Sequence, residues 1–139
     1  MTQVRSIDHI AIATTDLDAS LKMFAALGIT CEHVEDLPER GIRVAMLPIG
    51  DTRIELVMPL HDHSEVSAFL QKRGGGIHHI ALRTDDVDAD IAELKSQGLK
   101  IAQEPAPGAH GCRVAFVHPK ATGGVLLELS TPAKDLSAL

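Results

Sequence analysis

Two histidines and two glutamates recur in matching surroundings. His9-Ile10-Ala11 returns as His79-Ile80-Ala81, a separation of 70 residues. Glu55, inside Ile54-Glu55-Leu56, returns as Glu128, inside Leu127-Glu128-Leu129, after three inserted residues. Imidazole nitrogens and carboxylate oxygens together make a donor set for a divalent metal. Taken singly, such a histidine reads as a hydrogen-bonded core or surface residue, and such a glutamate as a solvated one. Their repetition at corresponding places reverses that weighting. The four residues His9, Glu55, His79 and Glu128 are read as one metal site.

Other residues carry a weaker chemical signal. Glu39 lies in the Pro-containing loop Pro38-Glu39-Arg40-Gly41, and its counterpart by the repeat is Ala109. It therefore breaks the internal symmetry, although its residue type and setting alone read as a solvated loop acid. Lys120 stands at the tip of His118-Pro119-Lys120-Ala121-Thr122-Gly123-Gly124, where it could meet a phosphate; an exposed lysine is by default solvated. Gly108-Ala109-His110-Gly111 reads as a turn. His78 has Asp8 at its repeat position and is expected on the packing side, as a structural residue.

The elements that must position these groups follow the same repeat. Residues 6–13 alternate as a strand, with Ile10 and Ile12 on one face and His9, Ala11 and Ala13 on the other. Thr14-Thr15-Asp16 starts a helix, Leu17, Leu21 and Phe24 recur at helical spacing, and Gly28 ends it. Strands are expected near 29–34, 42–48 and 52–58, with a loop from Glu35 to Gly41. His79 to Gly98 then lies on His9 to Gly28 without a gap, and Gly111-Cys112-Arg113-Val114-Ala115 lies on Gly41-Ile42-Arg43-Val44-Ala45. Agreement over so many ungapped positions means a duplicated module. The expected fold class is α+β, with two tandem βαβββ modules forming a curled mixed sheet around a metal cavity. The modules span 5–60 and 77–131. A short helix capped by Asp62 or Ser64 and a glycine hinge join them over 61–76. The segment from Thr131 to Leu139 reads as a loose tail.

Strand parity sorts the side chains. Ile54, Leu56, Leu127 and Leu129 point toward the helices, which sends Glu55 and Glu128 to the same face as the histidines. Each module thus offers one His and one Glu on a face otherwise lined by small residues.

Composition excludes several classes. The net charge is −6, and only 2% of the 139 residues are aromatic, with no Trp or Tyr. This leaves neither a basic footprint nor a stacking platform for nucleic acid. No apolar run is long enough to span a membrane, and Met1 to Ser6 lacks the apolar core of a signal peptide. Cys31 and Cys112 stand alone in sequence and read as reduced thiols of a cytoplasmic protein. Eight histidines are the one unusual count.

Several stretches carry a family resemblance. They are Ile7-Asp8-His9-Ile10-Ala11, Pro38-Glu39-Arg40-Gly41, Ile54-Glu55-Leu56, Gly76-Ile77-His78-His79-Ile80, Gly108-Ala109-His110-Gly111, and His118-Pro119-Lys120 with Thr122-Gly123-Gly124-Val125-Leu126-Leu127-Glu128-Leu129. Across 7–130 the chain resembles the methylmalonyl-CoA epimerase family of the vicinal oxygen chelate superfamily. The Pro-Glu-x-Gly loop and the His-Pro-Lys segment are its specific marks; the His-Ile-Ala pairs mark only the superfamily. The resemblance implies metal ligands at His9, Glu55, His79 and Glu128, with Co²⁺ favoured and Zn²⁺, Ni²⁺ and Mn²⁺ also suited. Some family members carry Gln in place of Glu55. It further implies proton transfer by Glu39 and Glu128, an acyl-CoA substrate with Lys120 near a CoA phosphate, and a homodimer. The implied reaction is interconversion of the two C2 epimers of methylmalonyl-CoA.

Three rivals stand beside this reading. Lactoylglutathione lyase, of the same superfamily, also moves a proton beside a metal-bound oxygen. A ring-cleaving dioxygenase needs two His, one carboxylate and open positions on iron, which four protein ligands disfavour. A metal-free binding module would need neither Glu39 nor the loop from His118 to Gly124.

Overall fold

Alternating small and bulky residues put the first strand, β1 (Val4–Ala13), into an extended ribbon, and Asp16 then turns the chain into α1 (Leu17–Ala26). The Asp16 side chain accepts the Ala19 N–H at 3.0 Å, so one orphan donor of the first turn is satisfied. A computed structural model describes residues 3–133. The remaining elements are β2 (His33–Leu37), β3 (Ile42–Ile49), β4 (Thr52–Pro59), α2 (Glu65–Arg73), β5 (Gly76–Thr84), α3 (Val87–Ser96), β6 (Ile101–Pro107), a 3₁₀ turn over Ala109–Gly111, β7 (Arg113–Val117), α4 (Pro119–Thr122) and β8 (Leu127–Thr131). Two βαβββ modules are therefore present, as the repeat requires. Most of the expected loose tail, residues 134–139, lies outside the described residues.

Contacts divide the chain into two compact units. One is Asp8–Ile80; the other combines the described residues 3–7 with 81–133. In the first, the strand order is β2-β3-β4-β1-β5, with β1 parallel to β4 and β3 antiparallel to both β2 and β4. In the second it is β5-β8-β7-β6, with β7 antiparallel to β6 and β8.

The expected strand near 29–34 and loop from Glu35 need correcting. The strand is His33–Leu37, and only the four residues Pro38 to Gly41 make the turn. Charged Glu35 and Asp36 hid it. They are tolerated because β2 is an edge strand. Asp36 faces Arg43 in the ladder, and Arg43 Nε donates to its carboxylate at 2.7 Å. That hydrogen bond and the guanidinium charge hold the Asp36 carboxyl below its ordinary range.

Each unit has its own core. In the first, Leu17, Ala45, Leu47 and Leu56 are buried, with Ile12, Leu21, Phe24, Ile29 and Ile54 packed against them. In the second, Val87, Ile91, Ala115, Val117 and Leu129 are buried, with Leu82, Leu94, Ile101 and Leu127 against them. The strand end and the helix are tied together in both. Thr14 Oγ1 lies 2.9 Å from Ser20 Oγ, and at the repeat positions Thr84 Oγ1 donates to the buried Asp90 carboxylate.

The copies differ in packing at one point. In the second unit a cavity of about 260 Å³ is lined by Leu82, Leu94, Leu99, Leu127 and Leu129, with Asp90 at its edge. Leu94 stands where the first copy has Phe24, whose larger ring packs against the core of that unit. Leu94→Phe is therefore expected to stabilise the protein by about 0.5–2 kcal/mol, read as a higher denaturant midpoint at unchanged slope. A lower midpoint would mean the space is already closed to a ring.

Candidate metal and proton-transfer site

The histidine face of β1 is made of His9, Ala11 and Ala13, all buried, while Ile10 and Ile12 are half-buried on the other side. His9 thus shares its face with small residues and is itself only 4% exposed. His79 arrives on β5 within the same unit. Its Nε2 lies 3.4 Å from His9 Nε2. Two nitrogens each about 2.1 Å from one tetrahedral ion are separated by about 3.4 Å, so this pair is spaced as two ligands of one metal.

Both rings are held from behind. His9 Nδ1 lies 2.7 Å from Asp8 Oδ2 and 3.2 Å from Glu55 Oε2. His79 Nδ1 lies 2.8 Å from His78 Nδ1. Residues 8 and 78 are repeat partners, so in both copies the residue before the histidine contacts its far nitrogen. Such contacts orient both rings, and the Asp8 carboxylate on Nδ1 of His9 favours the tautomer whose Nε2 can take an ion. His78 also packs edge-on against Phe69 of α2, with centroids 5.0 Å apart. His78, expected on the packing side, thus makes a packing contact with α2 and a polar contact with His79.

Arg53 completes the first-unit cluster. It lies opposite His9 in the parallel β1–β4 ladder and two residues before Glu55 on the same strand face. Its Nε donates to Glu55 Oε2 at 2.7 Å, and its Nη2 lies 2.9 Å from Asp8 Oδ2. A buried carboxylate without a partner costs several kcal/mol; the Arg53 guanidinium offsets this for Glu55 and also pairs the partly buried Asp8. Asp8, His9 and Glu55 form a recognisable group of metal-ligating atoms.

The remaining expected residues are placed as follows. Glu55 is 4% exposed and turned toward Arg53 and the His9 Nδ1 side. Glu128 is 6% exposed on β8 of the second unit, between the core-facing Leu127 and Leu129. Glu39 is exposed at the tip of the β2–β3 hairpin, in a turn closed by Arg40 N–H to Leu37 O at 3.0 Å and Gly41 N–H to Pro38 O at 3.1 Å. Lys120 is exposed on α4. His118 caps that short helix, accepting the Lys120 N–H at 3.0 Å. Partial desolvation, then the charges of Lys100 and Lys120, hold its imidazole below the ordinary range.

Sequence reasoning missed Asp8 and Arg53. Their signal was available in part: an acid directly before a candidate ligand, and a cation two residues from another.

Residues 8–116 match the family model of the glyoxalase/bleomycin resistance protein/dioxygenase superfamily. The chain belongs to this superfamily. Its enzymes use a divalent metal, which agrees with the donor chemistry and spacing of the two imidazoles. A relative within it, the ethylmalonyl-CoA/methylmalonyl-CoA epimerase of Cereibacter sphaeroides, is 39% identical over 127 residues, covering 88% of this chain and 95% of that one. The crystal structure of methylmalonyl-CoA epimerase from Mycobacterium tuberculosis is similar with a TM-score of 0.91 at 39% identity, covering 98% and 93%. A methylmalonyl-CoA epimerase in complex with methylmalonyl-CoA and NH4+ is similar with a TM-score of 0.91 at 41% identity, covering 94% and 96%. Among the described residues, no helix is long and apolar enough to cross a membrane.

Proposed function

We propose that this chain interconverts (R)- and (S)-methylmalonyl-CoA by removing and returning the proton on C2. The observation that carries the reading is the pair of imidazole Nε2 atoms 3.4 Å apart, each ring braced from behind, in a chain similar to epimerases of this substrate class.

The chemistry matches the residues. The C2 proton lies between a thioester and a carboxylate, and its removal places charge on the thioester oxygen. His9, His79 and Glu128 would hold the divalent ion, joined by Glu55 once its carboxylate turns from Arg53 and the His9 Nδ1 side, with Co²⁺ as the ion used. Bound there, it supplies Lewis-acid polarisation of the substrate oxygens. Asp8 and His78 hold the ligand rings in place. Inversion needs a proton taken from one face of C2 and another delivered to the opposite face. Glu39 serves one face and Glu128 the other. Lys120 meets a phosphate of the CoA moiety as a point charge. The two modules, 5–60 and 77–131 with the joint at 61–76, work as one catalytic domain. A homodimer in the cytoplasm belongs to the same reading.

In deuterated buffer, the Co²⁺-loaded protein is expected to incorporate deuterium at C2 of methylmalonyl-CoA and to equilibrate the epimers. Turnover of the methylglyoxal–glutathione adduct instead would point to the lyase chemistry of the same superfamily. Binding of the acyl-CoA without exchange would point to a non-catalytic module.

A further inference from the structure

The turn that presents Glu39 is closed from outside by a residue of a different segment. Gly41 ends the turn with φ +67°, a conformation that favours glycine. A methyl group on Gly41 would lie 2.5 Å from Nε2 and 2.8 Å from Cε1 of His61, and 3.2 Å from Cβ of Ser64. The His61 ring thus occupies the space that a side chain at residue 41 would take, which is close backbone approach rather than turn geometry alone. The Leu60 N–H donates to Gly41 O at 2.8 Å, fixing the same point from the adjoining residue.

His61 is itself held in place. Its Nδ1 accepts the His63 N–H at 3.1 Å, and its carbonyl accepts the Ser67 hydroxyl at 2.5 Å. Ser64, the N-cap of α2, accepts the Ser67 N–H at 3.1 Å. The start of α2 therefore braces the ring, and the ring braces the end of the Glu39 turn. All of these residues belong to the unit Asp8–Ile80.

The second copy shows what is particular to the first. Gly111 is the repeat partner of Gly41 and has the same backbone sign, φ +73°. Its neighbour after the last strand is Ala133, 3.3 Å from the position of an added methyl. There the turn carries Ala109 instead of Glu39. Both copies close the glycine with the chain that follows the fourth strand of the module. Only the copy with the carboxylate closes it with a large, hydrogen-bonded ring.

We infer that His61 is a positioning residue for Glu39: its ring, seated on Gly41 and anchored to the start of α2, fixes the turn that aims the carboxylate. This rests on the reading of Glu39 as one of the two proton carriers. The role predicts an asymmetry that loss of general stability does not produce. If each carboxylate serves one face of C2, misplacing Glu39 slows proton removal from one epimer and spares the other.

The test starts solvent-deuterium incorporation separately from each pure epimer of methylmalonyl-CoA, using Co²⁺-loaded protein. Glu39→Ala run alongside identifies which epimer depends on Glu39. His61→Ala is expected to slow exchange from that same epimer by about tenfold or more relative to the other, with KM and bound metal unchanged. His61→Phe, which keeps a ring over Gly41 without the nitrogens, is expected to recover the wild-type ratio to within about threefold. If Glu39→Ala gives the asymmetry and His61→Ala slows both epimers equally, or neither, the positioning role is wrong. An absence of asymmetry in Glu39→Ala overturns the reading of Glu39, and the role of His61 falls with it.

Discussion

Replacing His79 with alanine is expected to remove bound divalent metal and, with it, nearly all epimerisation. The argument rests on the nitrogen pair. His9 Nε2 and His79 Nε2 stand 3.4 Å apart, so one ion can be shared by both, and neither histidine alone supplies that chelate. Loss of one of four proposed ligands is expected to lower metal content after Co²⁺ loading and desalting from about one ion per chain to below about 0.1, and turnover by about three orders of magnitude or more. The fold is expected to survive, because His79 shares its sheet face with small residues such as Ala81 and contributes little to either hydrophobic core. His78→Ala provides the internal comparison. Its side chain contacts His79 Nδ1 at 2.8 Å, so its loss leaves all four ligands but frees the ring, and a weakening of metal affinity of about 10- to 100-fold is expected. Metal analysis and thermal unfolding of both variants check this. Full metal retention in His79→Ala would exclude His79 from the ligand set.

Glu39→Ala is expected to have the opposite signature, with metal retained and chemistry lost. Glu39 is exposed on a hairpin turn and makes no hydrogen bond or ion pair among the described residues, so truncation should cost little stability. A positioned proton carrier contributes about 10²–10⁴-fold to rate. Epimer interconversion should fall by that range. Exchange without inversion should persist from the epimer whose proton faces the other carboxylate. The measurement is deuterium incorporation and epimer ratio followed together. Ordinary interconversion in this variant would remove Glu39 from the mechanism and leave the two-carboxylate scheme without its asymmetric member.

Much of this arrangement is legible in the chain itself, because a duplication makes weak signals testable against each other. His9 with His79, and Glu55 with Glu128, stand out by recurring at matched strand positions, and parity sends each away from Leu56 or Leu129. Helix α2 is legible as an amphipathic segment before the glycine run, with Asp62 and Ser64 both offered as its cap; the structure caps it with Ser64. What escaped depends on distant register. Arg53 matters because β1 runs parallel to β4 with His9 opposite it, and no local pattern states that pairing. Edge strand β2 escaped because Asp36 is balanced across the ladder by Arg43, so the strand needs no apolar alternation there. His61 escaped because its importance is the empty space above Gly41, which is visible only when the two segments are brought together. His78 reads as a packing residue from parity, and parity alone does not show that it also contacts its neighbour's ring.

The frontier between the compact units has a consequence for dissecting the protein. By descent the copies meet near the glycine run at Gly74–Gly76, but by contact the first unit continues to Ile80 and carries His79 with it. Inheritance and mechanics thus draw different borders. A fragment cut at the glycines would keep the first copy whole and still lose the imidazole that faces His9, whereas a fragment ending after Ile80 would retain both rings. Swaps of modules between relatives should accordingly be joined inside β5, beyond the histidine, and not at the glycine joint where the repeat begins.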